Sequence, residues 1–140
     1  MKTVLAHGVF DVLHIGHIRL LNKARFMGDE LVVSLLADEF VSRYKGKPPT
    51  HTLAQRTEQA LALRCVDRVV VVNGPGHEAV QKMIQSVRPA IYVKGADTRG
   101  TFGEEEFVRS AGIELVFVDM VLLGTALPFS STRILEEANK

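Results

Sequence analysis

Thr3-Val4-Leu5-Ala6-His7-Gly8-Val9-Phe10-Asp11-Val12-Leu13-His14-Ile15-Gly16-His17 decides how the rest of the chain is read. Thr3 to Ala6 is an apolar, strand-like start, and Ile18 to Phe26 continues as a helical run. His14 and His17 therefore fall three apart at the opening of a helix, on one face. Unpaired backbone N–H groups and the positive end of the helix dipole make such an opening an anion site. Imidazoles beside it can donate to phosphate oxygens whose charge builds during phosphoryl transfer. Gly8 lets the chain approach a ligand closely, and Gly16 leaves room between the two rings. Local satisfaction within a loop would suffice for an isolated histidine. It does not account for a pair at a strand-to-helix junction.

Outward from this stretch, short apolar runs alternate with longer amphipathic ones, the pattern of parallel strands covered by helices. Strands are predicted over Thr3–Ala6, Glu30–Leu36, Arg68–Val72, Ala90–Val93 and Leu115–Val118. Several are Val/Ile/Leu runs without alternation, as expected of strands buried on both faces. Helices are predicted over Ile15–Phe26, Asp38–Arg43, Leu53–Leu63, His77–Ser86, Glu104–Ser110 and Ser130–Glu137. Gly28 and Gly112 read as helix stops, Pro89 as a bar to helix continuation, and Thr52 as an N-cap with Gln55 as its box partner. The expectation is α/β, with five parallel strands and helices on both faces, as a single domain over residues 1–140. Whether that domain is a whole protein or part of a longer chain stays open.

The 140 residues carry 17 basic and 16 acidic side chains, a formal charge of +1. No field of one sign points to nucleic acid or membrane as the main partner. No run of eighteen apolar residues and no charged-then-apolar leader stands in the sequence, so the expected location is cytoplasmic. Cys65 is the one cysteine, which excludes an intrachain disulfide; it lies in the apolar Ala60–Val66 stretch and reads as packing. Without clustered thiols a zinc site fails.

In an open parallel sheet, ligands bind beyond the carboxyl ends of the strands, where strand order reverses. The segments after the first, fourth and fifth predicted strands are the richest in Gly, His, Asp, Ser and Thr. Lys45-Gly46-Lys47 with Pro48-Pro49 reads either as a mobile lysine loop able to fold over a triphosphate or as solvated charge. Lys94-Gly95-Ala96-Asp97 ends a buried strand; Gly95 allows a tight exit, and Asp97 either accepts from hydroxyls, helps hold a cation or closes the turn. Ser130-Ser131-Thr132-Arg133 opens a helix, as a cap or as a phosphate cradle of hydroxyls, amides and a guanidinium. Together these segments specify a nucleoside triphosphate site. Neither a Gly-x-x-x-x-Gly-Lys-Ser/Thr loop nor Gly-x-Gly-x-x-Gly is present, which disfavours a P-loop enzyme and a dinucleotide dehydrogenase.

The run Gly8 to His17 resembles the signature of the cytidylyltransferase-like nucleotidyltransferases. Gly28-Asp29, Ala37-Asp38-Glu39-Phe40, Gln55-Arg56, Arg64-Cys65-Val66-Asp67-Arg68-Val69 and Ser130-Ser131-Thr132-Arg133-Ile134 extend the likeness over almost the whole chain. The resemblance implies a Rossmann-like nucleotidyltransferase fold and transfer of a nucleotidyl group with loss of pyrophosphate. An acceptor phosphate oxygen attacks the α-phosphate in line, which needs alignment and charge stabilisation more than a covalent nucleophile. In the matching roles, His14 and His17 stabilise the α-phosphate. Gly8, Val9, Phe10, Asp11 and Gly16 surround the nucleotide, with Asp11 also helping to order that loop or the metal and standing among the acceptor contacts. Lys45 and Lys47 engage acceptor and triphosphate, and Arg64 lies near the nucleotide and a dimer contact. Lys94 and Gly95 border the nucleotide, and Asp97 contacts its sugar or Mg²⁺, the expected cofactor. Ser130, Ser131, Thr132 and Arg133 hold the terminal phosphates. The implied catalytic set is His14, His17, Lys45 and Arg133, in a homodimer.

Two departures bear on substrate. Glycerol-phosphate relatives carry an arginine shortly before the Ser-Thr-Thr segment, where this chain reads Leu123-Gly124-Thr125-Ala126-Leu127-Pro128. Lys94-Gly95-Ala96-Asp97 is closer to the Lys-Gly-Gly-Asp of the ADP-heptose branch. His7 either contacts the acceptor's phosphate or satisfies itself at the strand end. The expected donor is CTP, with ATP as the alternative, and the expected acceptor a small phosphate or phosphonate. His-Ile-Gly-His also occurs in class I aminoacyl-tRNA synthetases, but a Lys-Met-Ser-Lys-Ser segment, room for a tRNA-binding domain and a basic excess are lacking here. A non-catalytic nucleotide sensor is the third reading.

Overall fold

A computed structural model describes residues 1–96 and 103–119. Five strands form one sheet: β1 (Thr3–Gly8), β2 (Glu30–Leu36), β3 (Arg68–Val72), β4 (Ile91–Gly95) and β5 (Glu114–Val118). Between them run α1 (Ile15–Arg25), α2 (Asp38–Lys45), α3 (Leu53–Leu61), α4 (Gly76–Val87) and α5 (Glu105–Ser110). The strand order is β3-β2-β1-β4-β5 and every pairing is parallel. Chain direction across the sheet therefore reverses between β1 and β4, and a crevice opens beyond their carboxyl ends.

The period-two pleat separates two cores. Val4, Ala6, Leu31, Val33, Ile91 and Val93 face Leu20, Leu21 and Ala24 of α1, with Cys65 and Val66 closing the layer. Leu5, Val32, Val72 and Tyr92 face Val80, Met83 and Ile84 of α4 and Val108 of α5. Helices thus cover both faces, as the unbroken apolar runs predict. Among the described residues no helix is long and apolar enough to cross a membrane.

Element boundaries differ from the sequence expectation in instructive places. β1 runs on through His7 and Gly8 because β2 continues beside it, pairing His7 with Ser34 and Gly8 with Leu35. Gly112 lies at φ 77 after α5, the left-handed stop expected of it. Gly28 is not such a stop: α1 ends on Phe26 in right-handed geometry, and a Cβ at Gly28 would stand 2.7 Å from the Lys2 carbonyl oxygen. Close approach of the β1 entry, not turn geometry, demands glycine there. Two left-handed caps are not foreseen: Arg88, at φ 55, ends α4, and Gly46, at φ 76, ends α2 inside the supposed mobile lysine loop. Thr52 and Gln55 form the expected reciprocal capping box of α3. The predicted helix Ser130–Glu137 lies outside the described residues.

Candidate active site

β1 delivers the chain to the crevice at Gly8, and six residues carry it to α1. Phe10 at φ 49 and Val12 at φ 53 occupy the left-handed region, an uncommon conformation for any side chain and a strained one for β-branched valine. Phe10 folds back over Gly8, where a Cβ would meet its ring at 3.1 Å. Gly8 therefore serves the packing of its own loop.

His14 is the N-cap of α1, an unusual residue for that position. Its Nδ1 accepts from the Gly16 amide at 3.0 Å, and His17 Nδ1 accepts from the His14 amide at 3.4 Å. The two imidazoles replace the Ser/Thr and Glu/Gln of an ordinary capping box. A neutral imidazole accepting at Nδ1 carries its proton on Nε2. The cap thus makes both rings Nε2–H donors. The rings stack with centroids 3.9 Å apart, and the Phe10 ring meets His17 edge-on at 5.5 Å. Burial, then the neighbouring His14 and Lys45, lower the His17 pKa to about 3, and burial lowers that of His14. Both are neutral donors near pH 7. His14 is buried with its Nε2 shielded, and His17 is the more accessible ring.

Lys45, the last residue of α2, is exposed and close enough to His17 to depress its pKa. Lys47 follows Gly46 on the exposed segment. That segment is tied down: Asp11 accepts from the Thr50 amide at 2.7 Å and the His51 amide at 2.8 Å. Asp11 therefore ties its own loop to the Thr50–His51 segment. Arg56, whose side chain is fully buried, donates to the carbonyls of His51 and Val9 and to Asp38.

On the other side of the crevice, His7 Nδ1 lies 2.8 Å from Ser34 Oγ, and Lys94 Nζ donates to the His7 carbonyl at 3.3 Å. His7 is thus engaged with Ser34 at the strand end. Burial and then Lys94 lower its pKa to about 4, against an opposing pull from Glu104. Tyr92 donates to the buried Glu104 carboxylate at 2.6 Å, closing the polar layer below His7. Gly95 ends β4 beside them.

His7, the Gly8–Asp11 loop, His14, Gly16, His17, Lys45, Lys94 and Gly95 therefore gather at one edge of the sheet. Arg64 does not. It is exposed in the turn before β3, hence at the amino-terminal edge, a strand length away from the histidines. Asp97, Ser130, Ser131, Thr132 and Arg133 lie outside the described residues. Among the described residues no three His, Cys, Asp or Glu side chains group as a metal site, and both Asp11 oxygens accept from amides. Ser34 and Arg56 went unread as site residues. Each carries a signal in hindsight: a hydroxyl inside an apolar strand, and a cation on the buried side of an amphipathic helix.

A family model described as cytidylyltransferase-like matches residues 5–137. The bifunctional protein HldE of Helicobacter hepaticus is 37% identical over 121 residues, 86% of this chain but 24% of that protein. The FAD synthase of Pyrococcus abyssi is 40% identical over 94 residues, covering 67% of this chain and 62% of the relative. The chain thus spans about a quarter of the length of HldE and under two thirds of that FAD synthase. The crystal structure of a lipopolysaccharide core biosynthesis protein from Thermoplasma volcanium superposes with TM-score 0.68 and 35% identity, over 88% of this chain and 98% of that one. The chain belongs to the cytidylyltransferase-like family of nucleotidyltransferases.

Proposed function

We propose that the chain transfers a nucleotidyl group from a nucleoside triphosphate to a small phosphate-bearing acceptor, releasing pyrophosphate. The observation that carries this reading is the imidazole capping box, which sets two neutral Nε2–H donors at the start of α1. Donors fixed before substrate arrives need no reorganisation as charge builds on the α-phosphate oxygens. Lys45, beside His17, supplies a positive charge to the triphosphate or the acceptor, with Lys47 behind it. His7 is proposed for the acceptor's phosphate, and Lys94 and Gly95 for the nucleotide. Asp97, Ser130, Ser131, Thr132 and Arg133 are proposed for the sugar, Mg²⁺ and the terminal phosphates on the strength of their motifs. Mg²⁺, the expected cofactor, would supply charge neutralisation to the phosphates, with Asp97 as the residue proposed to hold it.

For the donor we propose ATP. FAD carries an adenylyl group, which favours ATP in the relative of that name, and Lys94-Gly95-Ala96-Asp97 resembles the ADP-heptose branch. The Gly8–His17 run favours CTP as the second reading. Pyrophosphate release measured with ATP and with CTP, against polyol phosphates, sugar 1-phosphates and phosphonates, separates them. The proposal expects higher kcat/KM with ATP. Preference for CTP reverses the donor assignment, and no pyrophosphate with any pairing removes the enzymatic reading in favour of a nucleotide-binding module. Light scattering tests the homodimer that accompanies the reading.

A further inference from the structure

We propose that Arg56 is a positioning residue that binds the Val9–Asp11 loop and the Gly46–Thr52 segment into one unit, and so sets Lys45 beside the histidine pair. The inference rests on the nucleotidyl-transfer reading and deepens it.

The Arg56 guanidinium reaches three separate parts of the chain. Nε donates to the His51 carbonyl at 3.1 Å, one terminal nitrogen to the Val9 carbonyl at 3.0 Å, and the other to Asp38 Oδ1 at 2.6 Å. Asp38 opens α2, the helix whose last residue is Lys45, and its second oxygen accepts from the Leu53 amide at the start of α3. Asp11 completes the unit from the opposite side through the Thr50 and His51 amides. Both ends of the Lys47–His51 stretch are thereby held, one at the Gly46 cap and one by Asp11 and Arg56.

Stability alone is a poor reason for such an arrangement. A guanidinium with no exposed surface is costly to desolvate, and an apolar side chain would fill the inner face of α3 without that cost. What the planar fork supplies is direction: fixed N–H vectors along three lines, which a lysine cannot reproduce. The loop it grips needs such restraint. Phe10 and Val12, at φ 49 and 53, keep unfavourable backbone conformations only where their surroundings over-determine them. Arg56 at the Val9 carbonyl and Asp11 at two amides bracket Phe10, and Asp11 is the neighbour of Val12. The same Phe10 ring rests edge-on against His17. Loosening the grip at Val9 therefore disturbs the histidine pair and the lysine together.

Arg56→Lys tests this, since it keeps the charge and removes the fork. In this variant kcat falls by about a hundredfold while KM for the triphosphate moves less than about threefold, because the groups remain and only their alignment is lost. In a Lys45→Ala background the same substitution costs about tenfold rather than a hundredfold, since Arg56 acts partly through Lys45 and partly through the histidine pair. Independently of turnover, amide exchange at Thr50 and His51 accelerates by about tenfold or more while the β1 and β2 amides keep wild-type rates. An unchanged kcat, full additivity with Lys45→Ala, or unchanged exchange at Thr50 and His51 each overturns the proposal. If Arg56→Lys does not fold, Asp11→Asn carries the exchange measurement: unaltered Thr50 and His51 rates there also contradict a single unit. A wild-type protein that releases no pyrophosphate sinks the nucleotidyl-transfer reading instead, and the exchange arm still judges the clamp.

Discussion

One ring of His14 performs two tasks, and they can be separated chemically. Its Nδ1 caps α1, a task asparagine does equally well through its side-chain oxygen. His14→Asn is therefore expected to unfold in urea within about 0.5 kcal/mol of wild type, while losing roughly a hundredfold in turnover with the Nε2–H donor. A loss of stability matching the loss of turnover would make His14 a cap alone. His17→Ala is expected to cost about a hundredfold or more as well, and near-normal turnover would remove it from the mechanism. The histidine pair was legible because its capping hydrogen bonds span at most three residues, so helix geometry alone could place it. The Arg56 clamp was not. Its acceptors stand 5, 47 and 18 residues away, and only the folded sheet brings them to one guanidinium.

At the scale of elements, two substitutions probe different causes of order. Thr52→Ala removes one half of the α3 capping box and is expected to cost about 1 kcal/mol by urea unfolding. No measurable cost would mean that α3 starts without its cap. Gly28→Ala drives a methyl against the Lys2 carbonyl and Val4, and roughly 1–3 kcal/mol is expected from the forced shift. A neutral result would restore the helix-stop reading of Gly28. Strands and helices were readable from periodicity because buried parallel strands leave unbroken apolar runs. Glycine roles were not readable, since a left-handed φ at Gly46 and a carbonyl contact at Gly28 look alike in sequence.

Over the whole molecule, half-buried neutral histidines couple stability to pH. His7 and His17 titrate near 4 and 3 when folded, against 6.5 when exposed. Between pH 6.5 and 4 the unfolded chain binds protons that the folded one refuses, so stability is full above 6.5 and falls as pH drops. The urea midpoint is expected to decrease steadily from pH 7 to 4.5, less steeply in His7→Asn. A flat profile would show that these rings are not neutral in the fold. The strand order, reversing between β1 and β4, is what turns separate motifs into one edge-on site. The alternation of elements implied parallel strands but left their order open; Arg64, similar in motif, fell at the other edge because it precedes β3 rather than following a strand.

The central claim is that the α-phosphate, not the γ-phosphate, is the centre attacked. Phosphorus-31 NMR of the full chain with ATP, Mg²⁺ and an accepted phosphate compound reads this directly. Free pyrophosphate is expected together with a new phosphoanhydride joining the α-phosphate to the acceptor. Appearance of ADP with a γ-phosphorylated acceptor would contradict it.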